Sequence, residues 1–234
     1  MSSIAIITAR GGSKRIPRKN IKDFCGKPIL AYSVEAALKS GLFDRVMVST
    51  DDKEIAETAK RYGAEAPFER SRETAGDFAT TSEVLLEVLT EYEKRGERFD
   101  LACCLYPTAP FVTAERLRQA VSLLQESGAD SVLPVVRFSF PPQRCFVIKE
   151  GCLQFQWPEY AQTRSQDLEP FYHDAGQFYC LRTKSFLEQK VLVMRKTVPL
   201  VLPEMEIQDI DTEEDWELAQ VKYRLRHGGF DGGM

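Results

Sequence analysis

The chain has 234 residues, of which 43% are hydrophobic and 28% charged, and a net charge of −4. That balance gives no whole-molecule attraction to nucleic acid or to an anionic membrane surface, and no apolar run is long enough to cross a bilayer. The length suits one domain with a small excursion, and no basic-then-apolar signal region opens the chain, so a cytoplasmic protein without nucleic-acid or membrane partners is expected. The six cysteines form no C-x-x-C pair and only two histidines occur, which argues for buried free thiols and against a zinc site or a Ser-His-Asp hydrolase.

The first element is a non-alternating apolar run, Ile4 to Thr8, which reads as a strand buried on both faces. It empties into Arg10-Gly11-Gly12-Ser13-Lys14-Arg15 and then Pro17-Arg18-Lys19-Asn20. Adjacent glycines let the backbone turn sharply and bring N–H groups near an anion, and the clustered cations suit a polyphosphate. Neither a Walker A loop nor Gly-x-Gly-x-x-Gly is present. A strand that opens into such a loop places it at the carboxyl edge of a sheet, where open α/β folds bind ligands.

Lys27 to Ser40 follows as an amphipathic helix with Pro28 in its first turn and Gly41 as its stop. Arg45 to Thr50 reads as the second strand, and Asp51 and Asp52 read as caps of a helix over Lys53 to Tyr62 in preference to metal ligands. A short third strand is expected over Ala64 to Phe68, then a polar connection ending in a threonine cap for a helix from Ser82 to Lys94. Asp100 to Tyr106 is a further buried strand, closed by Tyr106-Pro107-Thr108-Ala109-Pro110. Thr113 caps a helix over Ala114 to Ser127, and Asp130 to Val136 is another strand.

Strand–helix alternation stops at Phe138 to Glu169, where β-prone pieces (Cys145 to Lys149, Cys152 to Gln156) and Phe146, Phe155, Trp157 and Tyr160 suggest an inserted hairpin with an interface face. His173 and Asp174 precede a strand from Gln177 to Leu181, and His173 is read as structural and not as a base. A helix near Ser185 to Gln189 and a strand near Thr197 to Leu202 lead to Asp209-Ile210-Asp211-Thr212. On extended backbone both carboxylates would face one side and could hold Mg²⁺ with phosphate oxygens completing its shell. Thr212 caps the last helix, Glu213 to Arg224.

The stretch ARGGSKRIPRKNIKDFCGKPILAYSV, residues 9–34, closely resembles the signature of the cytidylyltransferases that activate nonulosonic acids with CTP. Arg70-Ser71-Arg72-Glu73-Thr74-Ala75-Gly76-Asp77 is similar to the family's Arg-Pro-x-x-Leu-Ala-x-Asp segment, with Ser71 where proline is usual, and Asp209-x-Asp211-Thr212 matches its Asp-x-Asp-Thr. The resemblance implies a doubly wound, mostly parallel α/β sheet of nucleotide-diphospho-sugar transferase type. A single nucleotidyltransferase domain would span 1–234, with 138–169 as an inserted dimerisation and sugar-site segment.

By the same resemblance, Lys19 and Arg10 lie on the α-phosphate, and Gly12, Ser13 and Lys14 hold the outer phosphates. Asn20 touches ribose or phosphate, and Arg70, Ala79 and Thr81 hold cytosine and ribose. Asp209 and Asp211 carry Mg²⁺ and stand with Lys19 and Arg10 as the catalytic set. Tyr106, Arg164 and Phe178 are expected at the sugar. The implied partners are CTP, a nonulosonic acid and a second copy of the chain in a homodimer. Tyr106, where sialic acid enzymes carry glutamine, and Asp174-Ala175-Gly176-Gln177-Phe178-Tyr179 resemble the pseudaminic acid branch. Sialic acid is the alternative acceptor. A related glycosyltransferase or a non-catalytic binding module are the remaining readings.

Overall fold

The computed structural model describes residues 1–228. The chain opens with β1 (Ser3–Thr8), followed by a miniature hairpin of β2 (Asp23–Phe24) and β3 (Lys27–Pro28). Pro28 therefore sits in this hairpin, and helix α1 (Leu30–Ser40) starts later than its amphipathic pattern suggests. Gly41, in the left-handed region at φ 65°, ends α1 as expected.

Next come β4 (Arg45–Ser49), α2 (Lys53–Arg61), the short α3 (Arg72–Ala75), α4 (Thr81–Lys94), β5 (Leu101–Leu105), α5 (Ala114–Ser127) and β6 (Ser131–Arg137). The expected strand over Ala64 to Phe68 reduces to one bridging residue, Glu65, which pairs with Met47 at the sheet edge. Both Asp52 and Thr113 cap the helices assigned to them, accepting from the N–H groups of Ile55 and Arg116. Thr80 closes a capping box with Glu83 at the start of α4.

After β6 the chain leaves the sheet for a separate two-stranded hairpin, β7 (Phe146–Lys149) and β8 (Cys152–Phe155). It returns through β9 (Tyr172–Asp174), a strand too short to have been legible, then β10 (Phe178–Arg182), α6 (Thr183–Gln189), β11 (Thr197–Val201) and α7 (Glu213–His227). Thr212 caps α7 in a box with Asp215.

The main sheet runs in the order β11-β6-β10-β5-β1-β4, with β9 on β6. The strands β4, β1, β5, β6 and β11 share one direction, and β9 and β10 run against them, so the sheet is mostly parallel. Alternation along β1 divides two cores. Ala5 and Ile7 pack under α1, α2 and α5 on one face, while Ile4 and Ile6 pack under α4 and α6 on the other. With helices on both faces, the carboxyl ends of the parallel strands β1, β4 and β5 lie along one edge, the edge at which doubly wound sheets bind ligands.

Cys103, Cys104 and Cys180 are buried in these cores, but Cys145 and Cys152 are exposed on the insertion, where thin packing leaves no interior to take them. No helix among the described residues is long and apolar enough to cross a membrane.

Candidate active site

The carboxyl edge of β1 carries the loop that the sequence singles out, and the structure shows what holds it. Gly11 N–H donates to Asp51 at 2.8 Å, and a Cβ at Gly11 would meet Asp52 at 3.0 Å. Gly11 is thus a close-approach residue, whereas Gly12 faces open space. The two adjacent aspartates divide their work: Asp52 caps α2, and Asp51, expected to do the same, fastens the loop.

Asn20 is buried, and its Nδ2 donates to the Arg10 carbonyl at 2.8 Å, so it braces the loop from beneath. That bond uses one of its two amide hydrogens, and the second, with Oδ1, is left for a ribose or phosphate contact. Arg18, with backbone in the left-handed region, pairs with Asp52 and Glu54.

The remaining cations converge on one cavity of about 170 Å³, lined by Thr8, Arg10, Ser13, Lys14, Lys19 and Thr108 among others. Arg10 lies 2.9 Å from Asp77, and Lys14 pairs with the same carboxylate. Arg15 lies 2.6 Å from Asp211, and Lys19 lies 3.8 Å from it. Lys19 Nζ also donates to the Ile210 carbonyl at 2.6 Å. Burial pushes the Lys19 ammonium below its ordinary value, against the opposing pull of Asp211 and Asp209.

Asp209 and Asp211 stand on irregular backbone just before α7, not on a strand. Asp211 pairs with Lys19, and Asp209 lies near enough to favour the charged form of the same ammonium. Asp209's carboxyl is raised, first by desolvation and then by the charge of Asp211.

Among the described residues no three His, Cys, Asp or Glu side chains cluster in a metal cage. Two carboxylates two residues apart, Asp211 of them paired with the cavity-lining Arg15 and Lys19, fit Mg²⁺, which takes one or two protein carboxylates and completes its shell with water and substrate phosphates. Nothing in this donor set suits a soft metal.

On the far side of the cavity, the loop from Arg70 to Thr80 leans over the cations. Arg70 is buried, donates to Ser49 Oγ at 3.0 Å and to the Ser49 carbonyl at 2.6 Å, and burial brings its guanidinium down to about 10. Ala79 and Thr81 are half-buried. Phe78, between Asp77 and Ala79, is 98% exposed.

Tyr106 is half-buried at the end of β5, its hydroxyl 3.4 Å from those of Thr81 and Tyr179. Phe178 is not beside it. That ring is fully buried in the core beneath α1 and α5, because its register opposite Leu105 turns it away from the edge, so its expected sugar contact is corrected to core packing. Its neighbour Tyr179 points to the opposite face and reaches Tyr106 and Asp174, two contacts that strand alternation could have suggested.

Arg164 lies in the insertion, largely exposed and paired with Asp167 at 2.7 Å, and the structure does not bring it to the cavity within one chain. His173 is exposed, packs on Phe138 with ring centroids 4.7 Å apart, and has its Nδ1 at the Asp174 carbonyl.

A family model described as Cytidylyltransferase matches residues 4–198. A pseudaminic acid cytidylyltransferase of Campylobacter jejuni subsp. jejuni is 41% identical over 97% of this chain and 98% of its own length. A CMP-N,N'-diacetyllegionaminic acid synthase of Legionella pneumophila subsp. pneumophila is 36% identical over 94% of this chain and 95% of its own. In fold, the chain is similar to a CMP:2-keto-3-deoxy-manno-octonic acid synthetase complexed with CTP, with a TM-score of 0.67 and 17% identity over 97% of this chain and all of that one.

Proposed function

The chain belongs to the cytidylyltransferase family, and from that premise we propose that it transfers the cytidylyl group of CTP to the anomeric hydroxyl of a nonulosonic acid, pseudaminic acid foremost, releasing pyrophosphate. The observation that carries this reading is the gathering of Arg10, Lys14 and Lys19 around one small cavity, with Asp211 paired to two cations of its lining, Arg15 and Lys19, and Asp209 two residues before it. A triphosphate needs the cations, and a divalent ion accompanying it would be held by the carboxylates.

The acceptor hydroxyl attacks the α-phosphorus, and negative charge grows on the α-phosphate oxygens and the leaving pyrophosphate. Lys19, held between the Ile210 carbonyl and Asp211, is fixed where that charge develops and reorganises little as it does so. Arg10 joins Lys19 on the α-phosphate and Lys14 binds the outer phosphates, once the nucleotide displaces the Asp77 carboxylate that both cations hold. Arg70 is locked by Ser49 as one wall of the base site, with Ala79 and Thr81 beside it. Mg²⁺, held by Asp209 and Asp211, would supply Lewis-acid polarisation of the phosphates.

The insertion, with its exposed rings, is proposed to pair two copies of the chain and to carry Arg164 to the sugar carboxylate of the neighbouring site, where a guanidinium can bind in bidentate fashion. Incubation with CTP, Mg²⁺ and a panel of pseudaminic, legionaminic and N-acetylneuraminic acids, followed by pyrophosphate release, tests the whole reading. Turnover fastest with pseudaminic acid is expected, by about a hundredfold in kcat/KM over N-acetylneuraminic acid. Equal rates would remove the acceptor assignment, and no pyrophosphate with any acceptor would remove the reaction.

A further inference from the structure

Four side chains from four elements meet in a line past the carboxyl end of β5. Asp174 ends β9, Tyr179 lies in β10, Tyr106 follows β5, and Thr81 opens α4. Tyr179 donates its hydroxyl hydrogen to Asp174 Oδ2. The Tyr179 and Tyr106 hydroxyl oxygens are 3.4 Å apart, as are those of Tyr106 and Thr81.

Asp174 is itself anchored, since its Oδ1 accepts from Gly176 N–H at 2.8 Å. Gly176, at φ +62°, makes the β9–β10 turn against the Asp209 carboxylate, which places the line beside the reaction centre. The two tyrosine rings pack edge to face at 5.7 Å, and this holds their hydroxyls in place.

Counting hydrogens fixes the direction of the line. An ionised carboxylate only accepts, and each hydroxyl has one hydrogen to give. Tyr179 spends its hydrogen on Asp174, so at the next link Tyr106 must donate to Tyr179. Tyr106 then has none left, so Thr81 must donate to Tyr106. Burial pushes both phenols above their ordinary values, so both keep their hydrogen at neutral pH.

We propose that this one-way chain leaves Tyr106 with only a lone pair to offer a bound acceptor, so that Tyr106 reads a hydrogen-bond donor, the N–H of an acylamino group on the nonulosonic acid, with Asp174 and Tyr179 as positioning residues. The inference rests on the acceptor class proposed above. The same polarity turns carbonyl, carboxylate and phosphate oxygens away from Tyr106 and toward the cationic loop, so it orients the sugar as well as selecting it.

The test compares an N-acyl acceptor with its O-acyl isostere, which keeps the shape and lacks the hydrogen. The wild type should prefer the amide by about tenfold in kcat/KM, the scale of one hydrogen bond. Asp174→Asn supplies an amide that can donate to Tyr179 and lets the line reverse. Tyr179→Phe keeps the ring and frees the hydrogen of Tyr106. In both variants the preference should fall to about twofold or less, with the KM for CTP unchanged. A merely structural role would slow both acceptors alike and leave their ratio intact, which overturns the proposal, as does a wild type indifferent to the N–H.

A second readout needs no acceptor. Followed by ultraviolet absorbance, one tyrosine of Asp174→Asn should ionise at lower pH than in the wild type, because the carboxylate opposing its ionisation is gone. An unshifted curve overturns the chain. A shifted curve in a protein that turns over no nonulosonic acid counts against the acceptor class and leaves the chain standing.

Discussion

The phosphate loop and the insertion are both polar excursions from the same sheet, yet they are built in opposite ways. Every loop cation from Arg10 to Lys22 has a carboxylate partner supplied by the connection before α4, by α2 or by the chain around the start of α7. Its backbone is fastened by Asp51 and Asn20. The insertion has one hairpin, an internal contact between Phe146 and Phe155 at 4.5 Å, and exposed Phe140, Ile148 and Leu153. At its root, Gln143 Oε1 and Arg144 Nε are buried with no hydrogen-bond partner among the described residues. Beside them opens a cavity of about 520 Å³, larger than the phosphate cavity, with none of the paired cations that mark the latter. The first region is complete within one chain. The second has the composition of a surface that another chain completes.

The comparison breaks most sharply at the carboxylates. Asp209→Asn and Asp211→Asn should each lower kcat by about a thousandfold with Tm little changed, since a metal-held charge is worth several kcal/mol at the transition state. Full turnover of the wild type in chelator-treated buffer would falsify the metal role. Lys19→Ala comes next, with kcat reduced by about a hundredfold and the KM for CTP moved far less, because its charge matters most as the α-phosphorus reacts. A raised KM with kcat intact would make Lys19 a binding residue only.

The same contrast explains what the sequence disclosed. The loop was legible because its chemistry is local, with strand, di-glycine and cations contiguous over residues 4 to 20. What fastens it was not, because Asp51, Asp77 and Asp211 reach it from 40, 63 and 196 residues away along the chain. Phe178 and Tyr179 show a different limit. Adjacent strand residues face opposite ways, and only the register with Leu105 and Cys104 decides which one turns toward the edge. Pro28 satisfied a helix-start rule, but a two-residue pairing with Asp23 claimed it first. The single bridging residue at Glu65 and the three-residue β9 fall below the length at which period-two alternation carries a signal.

The insertion offers a test of intermediate size. Ile148 and Leu153 are cross-strand partners, 76% and 65% exposed in the single chain. Paired substitutions Ile148→Glu and Leu153→Glu should be nearly neutral for folding if that face meets water, and should split a dimer if it meets a second copy. Light scattering should show two copies for the wild type and one for the variant, with transferase activity reduced and CTP binding kept. A wild-type monomer at micromolar concentration would remove the interface.

The smallest effect concerns Asp77, the carboxylate occupying the cations that the triphosphate needs. Lys14, then Arg10, hold it below the ordinary carboxylate value, so it stays charged at neutral pH and competes with phosphate. Its side chain is 41% exposed, against 20% for Asp52, which serves the fixed pairing with Arg18. Exposed pairs are weak and screened by salt, so Asp77 is the exchangeable member of the cluster and Asp52 the permanent one. Asp77→Asn should therefore lower the KM for CTP by about threefold at low ionic strength, and the difference should fade as salt approaches physiological levels. Asp52→Asn should do the reverse and raise the KM, because it loosens the loop and the α2 cap together. If Asp77→Asn instead raises the KM, the carboxylate assists closure over the nucleotide, and the exposed Phe78 beside it becomes the next residue to change.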